Sequence, residues 1–308
     1  MGCPARAAEP LLIAGTGAMA CLFAWKLAQA GHPVTLMGSW TAGIQALRRE
    51  GIRVEGAPPC RVSADFSVQG PFRRALVLTK SGRTAGVAER LAGCLHAEGT
   101  ALSLQNGLGN LEVLAARLGA QRVEAGATTL ACTLLGPGSI RPAGHGEVVL
   151  GQPTFLELLG QAGISVRLHP DVDGLLWSKL VINAGINAVG AVFGLPNGEL
   201  LRHPEARQRM RRGAREAAAV ALARGVKLPV EDVVAAVEEV AFRTRTNRSS
   251  MLQDLDRGLP TEVDAINGAV VRLGRRAGVP TPTNLELWKW ILARENRHDA
   301  IRTAAGQG

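Results

Sequence analysis

Lys179, Asn183 and Asn187 recur at i, i+4 and i+8 within Trp177-Ser178-Lys179-Leu180-Val181-Ile182-Asn183-Ala184-Gly185-Ile186-Asn187. On an α-helix this spacing lines up one ammonium and two carboxamides as a single stripe. The residues between them are nearly all apolar, so the helix is expected to be buried on most sides. An unpaired buried amide costs ~1–3 kcal/mol and a buried charge more, so the stripe must face partners. Those partners are either a neighbouring helix and water, or a substrate. In the second case the set is one that a 2-keto acid reductase could use. The lysine hydrogen-bonds the oxygen that gains charge as hydride arrives and then gives it a proton. The asparagines orient the substrate carboxylate without adding repulsive charge.

A second constellation supplies what such a reaction needs. Gly15-Thr16-Gly17-Ala18-Met19-Ala20 follows the apolar run Leu11-Leu12-Ile13-Ala14 and opens a helix-like segment. It fits G-x-G-x-x-G/A. The first glycine permits a tight turn, the second lets backbone approach a pyrophosphate, and Ala20 allows close helix–strand packing. In strand–loop–helix context the pattern points to dinucleotide binding. The next strand ends Leu36-Met37-Gly38-Ser39-Trp40. An NAD site usually carries an acid there and an NADP site an arginine. Neither is present. Ser39 can hydrogen-bond a phosphate and Arg48 or Arg49 can approach, so NADP is the expected cofactor and NAD stays open.

The elements that must hold these groups are legible in outline. Strand-like runs at Leu11–Ala14, Val34–Met37, Ile52–Glu55, Ala75–Thr79 and Ala101–Leu104 alternate with helical patterns. Those helices are expected over Ala18–Ala30, Thr41–Glu50, Ala85–Cys94 and Leu108–Leu118. Such alternation implies a parallel sheet covered on both faces. Val123–Leu135 and Gly146–Leu150 read as a hairpin-like addition. After His169-Pro170 helical periodicity takes over, through Asp171–Val192, Pro204–Arg224, Val230–Phe242, Glu262–Ala277 and Asn284–Asn296. The expected fold is an N-terminal Rossmann-type α/β domain over residues 1–170 and an all-α domain over 171–308, with the substrate cleft between them. Met1–Glu9 and Arg302–Gly308 are expected to fray.

Composition narrows the class. With 46% hydrophobic and 20% charged residues, the 308-residue chain has the make-up of a folded protein. Its net charge of +9 suits anions, which a dinucleotide and a keto acid both are. Nucleic acid is disfavoured: there is no Tyr and no basic–aromatic interleaving. Cys3, Cys21, Cys60, Cys94 and Cys132 are scattered, with no C-x-x-C pair or histidine at ligand spacing. No metal site or disulfide framework is expected, and a reducing, cytoplasmic compartment fits. Pro10–Trp25 fails as a signal core because Glu9 precedes it and the glycine loop lies within it. Met1-Gly2-Cys3 resembles an acylation start, but Arg6 replaces the favoured Ser or Thr. Leu175–Leu195 carries Lys179, Asn183 and Asn187, which argues against a membrane span. A homodimer is neither required nor ruled out.

In these features the chain resembles the ketopantoate reductase family over nearly its whole length. The resemblance rests on the glycine loop Gly15–Ala20, Thr79-Lys80, Gln105-Asn106-Gly107, the Trp177–Asn187 helix and Asn197. It continues through Ser249-Ser250-Met251-Leu252-Gln253-Asp254, Thr261-Glu262-Val263-Asp264-Ala265-Ile266-Asn267-Gly268 and Gly278-Val279-Pro280-Thr281-Pro282. It implies reduction of ketopantoate by NADP-borne hydride, in the pantothenate and coenzyme A pathway. It also implies that Lys179 is the general acid, assisted by Glu262. Asn106, Asn183, Asn187, Asn197 and Ser250 match substrate-binding positions. Asn106 also lies toward the cofactor, as do Lys80 and Glu262, and Cys132 matches a backbone contact to cofactor. The departures are Ser39, where the family has arginine, and Ala20 for the last glycine. Taken singly, Lys80, the Asn106-Gly107 turn, Ser250 and Glu262 all have ordinary structural explanations. Two rivals remain on sequence alone: a reductase of another small 2-keto acid, and a non-catalytic dinucleotide sensor.

Overall fold

The structure, a computed structural model, describes residues 9–144 and 146–305, with side chains as far as Arg297. Contacts divide the chain into two compact units. The first runs to residue 105 and resumes over 110–172. The second comprises 106–109 and the residues from 173 on.

In the first unit the strands are β1 Leu11–Ala14, β2 Val34–Met37, β3 Arg53–Val54, β4 Ser63–Asp65, β5 Phe72–Val77 and β6 Leu95–Ser103. They continue as β7 Val123–Thr128, β8 Ala131–Gly136, β9 Ser139–Ala143, β10 Glu147–Leu150 and β11 Ser165–Leu168. The helices are α1 Ala18–Gln29, α2 Thr41–Glu50, α3 Thr84–Cys94, α4 Asn110–Leu118 and α5 Leu156–Gln161. An eight-stranded sheet has the order β11-β10-β7-β6-β5-β1-β2-β4. It is parallel except where β10 runs antiparallel to β7. Strand β1 lies between β2 and β5, with Ala14 opposite Met37 and Val77. The chain thus leaves β1 toward one side and later returns on the other, which is the switch point where open α/β sheets bind ligands.

The alternation of side chains along each strand explains the double covering. Leu11, Ile13, Leu76 and Leu102 join a core that includes α1 and α5 residues such as Phe23, Leu27 and Leu158. Their neighbours Leu12, Ala14, Ala75, Val77 and Ala101 face a second core with Val87, Leu91 and Leu114 from α3 and α4. Both faces are apolar, so the strands read as continuous hydrophobic runs.

Three expectations change. The segment Ile52–Glu55 contributes only β3, which leaves the main sheet and pairs with β9 in a three-stranded sheet with β8. The sheet edge beside β2 is taken by β4, whose Ser-Ala-Asp sequence carries no apolar run. The Val123–Leu135 stretch is two strands: β7 extends the parallel sheet beside β6, and β8 forms a hairpin with β9. Strand β11 and helix α5 lack distinct sequence signals, being four and six residues long.

The second unit is helical: α6 Val172–Phe193, α7 Asn197–Arg202, α8 Pro204–Ala223, α9 Val233–Arg243, α10 Ser250–Asp256, α11 Ala269–Ala277 and α12 Pro282–Ala305. A π-helical turn, Asp264–Gly268, precedes α11, where sequence periodicity suggests a continuous helix from Glu262. Helix α12 continues through Ala305, so Arg302–Ala305 are not frayed as expected. The fraying and acylation readings at Met1–Ala8, and the remaining tail 306–308, lie outside the described residues. Helix α6 is long and apolar enough to cross a membrane, but more than half of its apolar window is buried in the protein. It is the core helix of this unit, packing Leu180, Val181, Ala184 and Val189 against α8, α9 and α11 residues.

Candidate active site

In the first unit the glycine loop sits at the switch point. Gly15 donates its N–H to Met37 O at 2.8 Å. Its φ is +142°, and a Cβ there would lie 3.0 Å from Leu78 O and 3.1 Å from the Ala20 Cβ. Only glycine fits, and a small residue is required at position 20. Gly17 differs: its φ is −83° and a Cβ would meet nothing within 4 Å. It caps α1 with no side-chain hydrogen bond, and the first turn holds no acid. The leading N–H groups of α1, at Ala18 and Met19, have no acceptor within the helix and carry its positive end-potential, and the open space at Gly17 beside them is what a pyrophosphate needs. Thr16 is buried, its methyl and hydroxyl against the α-carbon of Gly38 at the end of β2.

The other cofactor candidates of this unit are dispersed around that edge. Ser39 is exposed after β2, and Lys80 is half-buried after β5, starting the turn Ser81–Arg83. Arg48 is not free to approach a ligand, since it pairs with Asp65 at 2.6 Å. Arg49 pairs with Glu50. Cys132 lies on β8, in the smaller sheet, and burial pushes its thiol up to about 12. Burial, with Cys132 nearby, pushes the Cys21 thiol to about 12 as well. Both are inert as nucleophiles at neutral pH.

In the second unit the polar stripe of α6 has acquired a partner. Lys179, Asn183 and Asn187 are each half-buried, while Leu180, Val181, Ala184 and Ile186 between them are buried. The Glu262 carboxylate, only 6% exposed, raises the Lys179 pKa, but burial outweighs it and brings the ammonium down to about 8. Asn106 donates from Nδ2 to Glu262 Oε2 at 2.9 Å. Asn106 is thus joined to Glu262, and Glu262 to Lys179, although Asn106 lies 156 residues before Glu262 in the chain. The Asn106–Gly109 turn is docked on the helical unit by Leu108 N–H to Ala265 O at 2.9 Å. Gly107, at φ +82°, has no room for a side chain: a Cβ would sit 2.4 Å from Ala265 O.

Glu262 is more than a helix-dipole acid. It is buried just ahead of the π turn, and its carbonyl accepts the N–H groups of Ala265 and Ile266. Asn197 is buried at the start of α7 and donates to Thr244 Oγ1 at 2.8 Å, while its Oδ1 has no partner among the described residues. Ser250 is exposed. Its neighbour Ser249 is the buried one, capping α10 and donating to Asn187 O at 3.1 Å. Sequence reading missed this tie between α10 and the stripe, because two adjacent serines give no signal as to which turns inward. It also missed Asn267 and Asn284, both fully buried. Asn267 donates to Ala184 O and Asn284 Oδ1, and Asn284 donates to Gly213 O and Glu216. Their amides tie α6, α8, the π turn and α12 together.

The family description "Ketopantoate reductase PanE/ApbA" matches residues 11–154, and "Ketopantoate reductase PanE/ApbA C terminal" matches 171–295. The 2-dehydropantoate 2-reductase of Halobacterium salinarum is 33% identical over 88% of this chain and 94% of its own length. That of Archaeoglobus fulgidus is 33% identical over 92% and 97%. The crystal structure of a PanE/ApbA family ketopantoate reductase from Ralstonia eutropha JMP134 superposes with a TM-score of 0.88 at 34% identity, covering 94% of this chain and 100% of that one. A ternary structure of D-mandelate dehydrogenase with NADH and anilino(oxo)acetate shares the fold, with a TM-score of 0.89 at 24% identity and coverage of 94% and 99%.

Proposed function

The chain belongs to the ketopantoate reductase family, and we propose that it is a soluble, cytoplasmic enzyme that reduces ketopantoate to pantoate with NADPH. The reaction then serves pantothenate and coenzyme A formation. The observation that carries this reading is the Lys179–Glu262–Asn106 cluster. An ammonium brought to about 8 remains mostly protonated at neutral pH yet gives up its proton readily. When bound, the reduced nicotinamide supplies the hydride. Lys179 Nζ hydrogen-bonds the keto oxygen, stabilises its developing charge, and transfers a proton to it. Glu262 holds the lysine in its charged form and fixes its direction, and Asn106 fixes Glu262. Asn183 and Asn187 extend the same stripe and bind the substrate's carboxylate and hydroxyl, with Asn197 and Ser250 closing the pocket. Gly15–Ala20 take the pyrophosphate on the α1 N-terminus, with Lys80 nearer the nicotinamide half.

The test is loss of absorbance of NADPH, and separately NADH, on mixing with ketopantoate and with a panel of other 2-keto acids. Turnover fastest in kcat/KM with NADPH and ketopantoate supports the proposal. A second reading, a reductase of another small 2-keto acid, draws on the fold shared with D-mandelate dehydrogenase. The same panel separates the two. Binding of dinucleotide without turnover of any keto acid refutes both.

A further inference from the structure

NADPH and NADH differ by one phosphate on the adenosine ribose, and a dinucleotide fold reads that position at the end of its second strand. Here that strand is β2, ending at Met37-Gly38-Ser39 with neither acid nor arginine. The folded chain nevertheless brings charge to this corner from elsewhere. Strand β4 places Asp65 beside Met37, and Gly38 N–H donates to Asp65 O at 3.1 Å. The Asp65 carboxylate accepts the Phe66 N–H at 2.6 Å, and that bond together with Arg48 holds its pKa below the usual carboxylate range. Arg48, 2.6 Å from Asp65, also donates to Ala64 O, so its charge is matched by a carboxylate.

Arg90 reaches the same corner from α3. Its Nη1 donates to Gly38 O at 3.2 Å and Phe66 O at 3.1 Å, and its Nε to Gly86 O at 3.2 Å. All three acceptors are neutral carbonyls, and no carboxylate pairs with Arg90 among the described residues. The half-buried guanidinium is fixed in place with its charge unmatched. Two arginines and one aspartate leave an excess of one positive charge at the corner, and Arg90 carries it. A phosphate monoester brings about −1.5 to −2 charges and accepts planar N–H donors well.

We infer that Arg90 is the residue that selects the 2′-phosphate of NADPH, replacing from α3 the arginine that β2 lacks. The Arg48–Asp65 pair is the neutral wall beside it. This inference rests on the reading of the chain as an NADPH enzyme.

The test is calorimetric binding of 2′,5′-ADP, NADPH and NADH to wild type, Arg90→Ala and Asp65→Asn. Arg90→Ala is expected to weaken NADPH and 2′,5′-ADP by ~10- to 100-fold while leaving NADH within about twofold. Asp65→Asn removes the local negative charge and is expected to tighten 2′,5′-ADP, with NADH unchanged. An equal loss of NADPH and NADH in Arg90→Ala marks a mere brace between α3 and β2 and overturns the assignment. So does unchanged NADPH affinity. Arg90→Gln keeps a donor for Gly38 O without the charge, and it replaces the alanine variant if that does not fold. Wild type that binds NADH but not 2′,5′-ADP fails the NADPH reading itself, which is a different result from wild type and variant binding 2′,5′-ADP alike.

Discussion

Replacing Lys179 by Met should slow catalysis by at least ~10² and at the same time erase one specific component of the pH dependence of stability. Burial lowers the folded-state pKa from 10.5 to about 8, a difference of about 2.5 units. At 1.36 kcal/mol per unit this is a ceiling of about 3 kcal/mol, because part of the side chain keeps accessible surface. The sign follows from proton counting. Below pH 8 both folded and unfolded chains hold the lysine proton, and the folded chain bears the full burial penalty. Between pH 8 and 10.5 the unfolded chain binds more protons, so wild-type stability rises with pH. In Lys179→Met that component is absent. Urea unfolding of both proteins from pH 7 to 10.5 should therefore show the wild type gaining up to ~3 kcal/mol relative to the variant, with the gain confined to that window. The difference curve is the right quantity, because the variant also leaves Glu262 without its cation and its absolute stability carries that cost. Activity should follow the same group. The variant's kcat should fall by at least ~10², with NADPH affinity unchanged. Wild-type kcat should decline above pH ~8 as the general acid loses its proton. A flat difference curve would show that Lys179 is not held against its own charge, and unchanged kcat would remove it from the chemistry.

Three further outcomes are expected. Glu262→Gln removes the carboxylate that raises the Lys179 pKa, so the alkaline limb of the kcat profile should move to lower pH, and a limb that stays put disconnects the two groups. Gly17→Asp should fold normally, since φ is −83° and the space is open, yet bind NADPH much more weakly because a carboxylate occupies the pyrophosphate approach. Equal affinity by calorimetry would refute the loop assignment. Asn284→Ala should destabilise by ~1–3 kcal/mol and by more than Asn267→Ala, because Asn284 serves Gly213 O, Glu216 and Asn267, whereas the Asn267 Oδ1 already has no partner among the described residues. Chemical denaturation of the two variants gives the ranking directly.

What the sequence revealed is what local chemistry dictates. The β1–glycine loop–α1 unit is readable because each glycine answers a constraint within a few residues. The α6 stripe is readable because helical geometry alone aligns positions 179, 183 and 187. Elements whose identity is decided by distant partners were not readable. Strand β4 is a strand because β2 offers it a free edge, not because Ser-Ala-Asp favours one. Strand β3 leaves the main sheet for β9, 86 residues on in the register Arg53–Ser139. Arg90 reaches the corner at the end of β2 through bonds spanning 52 and 24 residues.

The motif around Glu262 shows how the two kinds of information combine. A Thr-Glu pair before an apolar helix is equally well explained as a cap and a dipole-compensating acid. The structure separates these by burying the carboxylate, giving it an amide from Asn106, and setting it against Lys179. The π turn that follows lets Gly268 bond back to Val263 and presents Asn267 to Ala184 O, one residue from Asn183. A regular helix through this segment would rotate Asn267 relative to Glu262 and break one of the two attachments to α6. Wide turns of this kind are uncommon and cluster at functional sites. Here the irregularity keeps the acid on the lysine while the Asn267 amide grips the α6 backbone at Ala184, next to the polar stripe's middle asparagine. The proposed orienting carboxylate and the amide that grips α6 therefore lie on the same short segment, and loosening that segment should cost catalysis before it costs the fold.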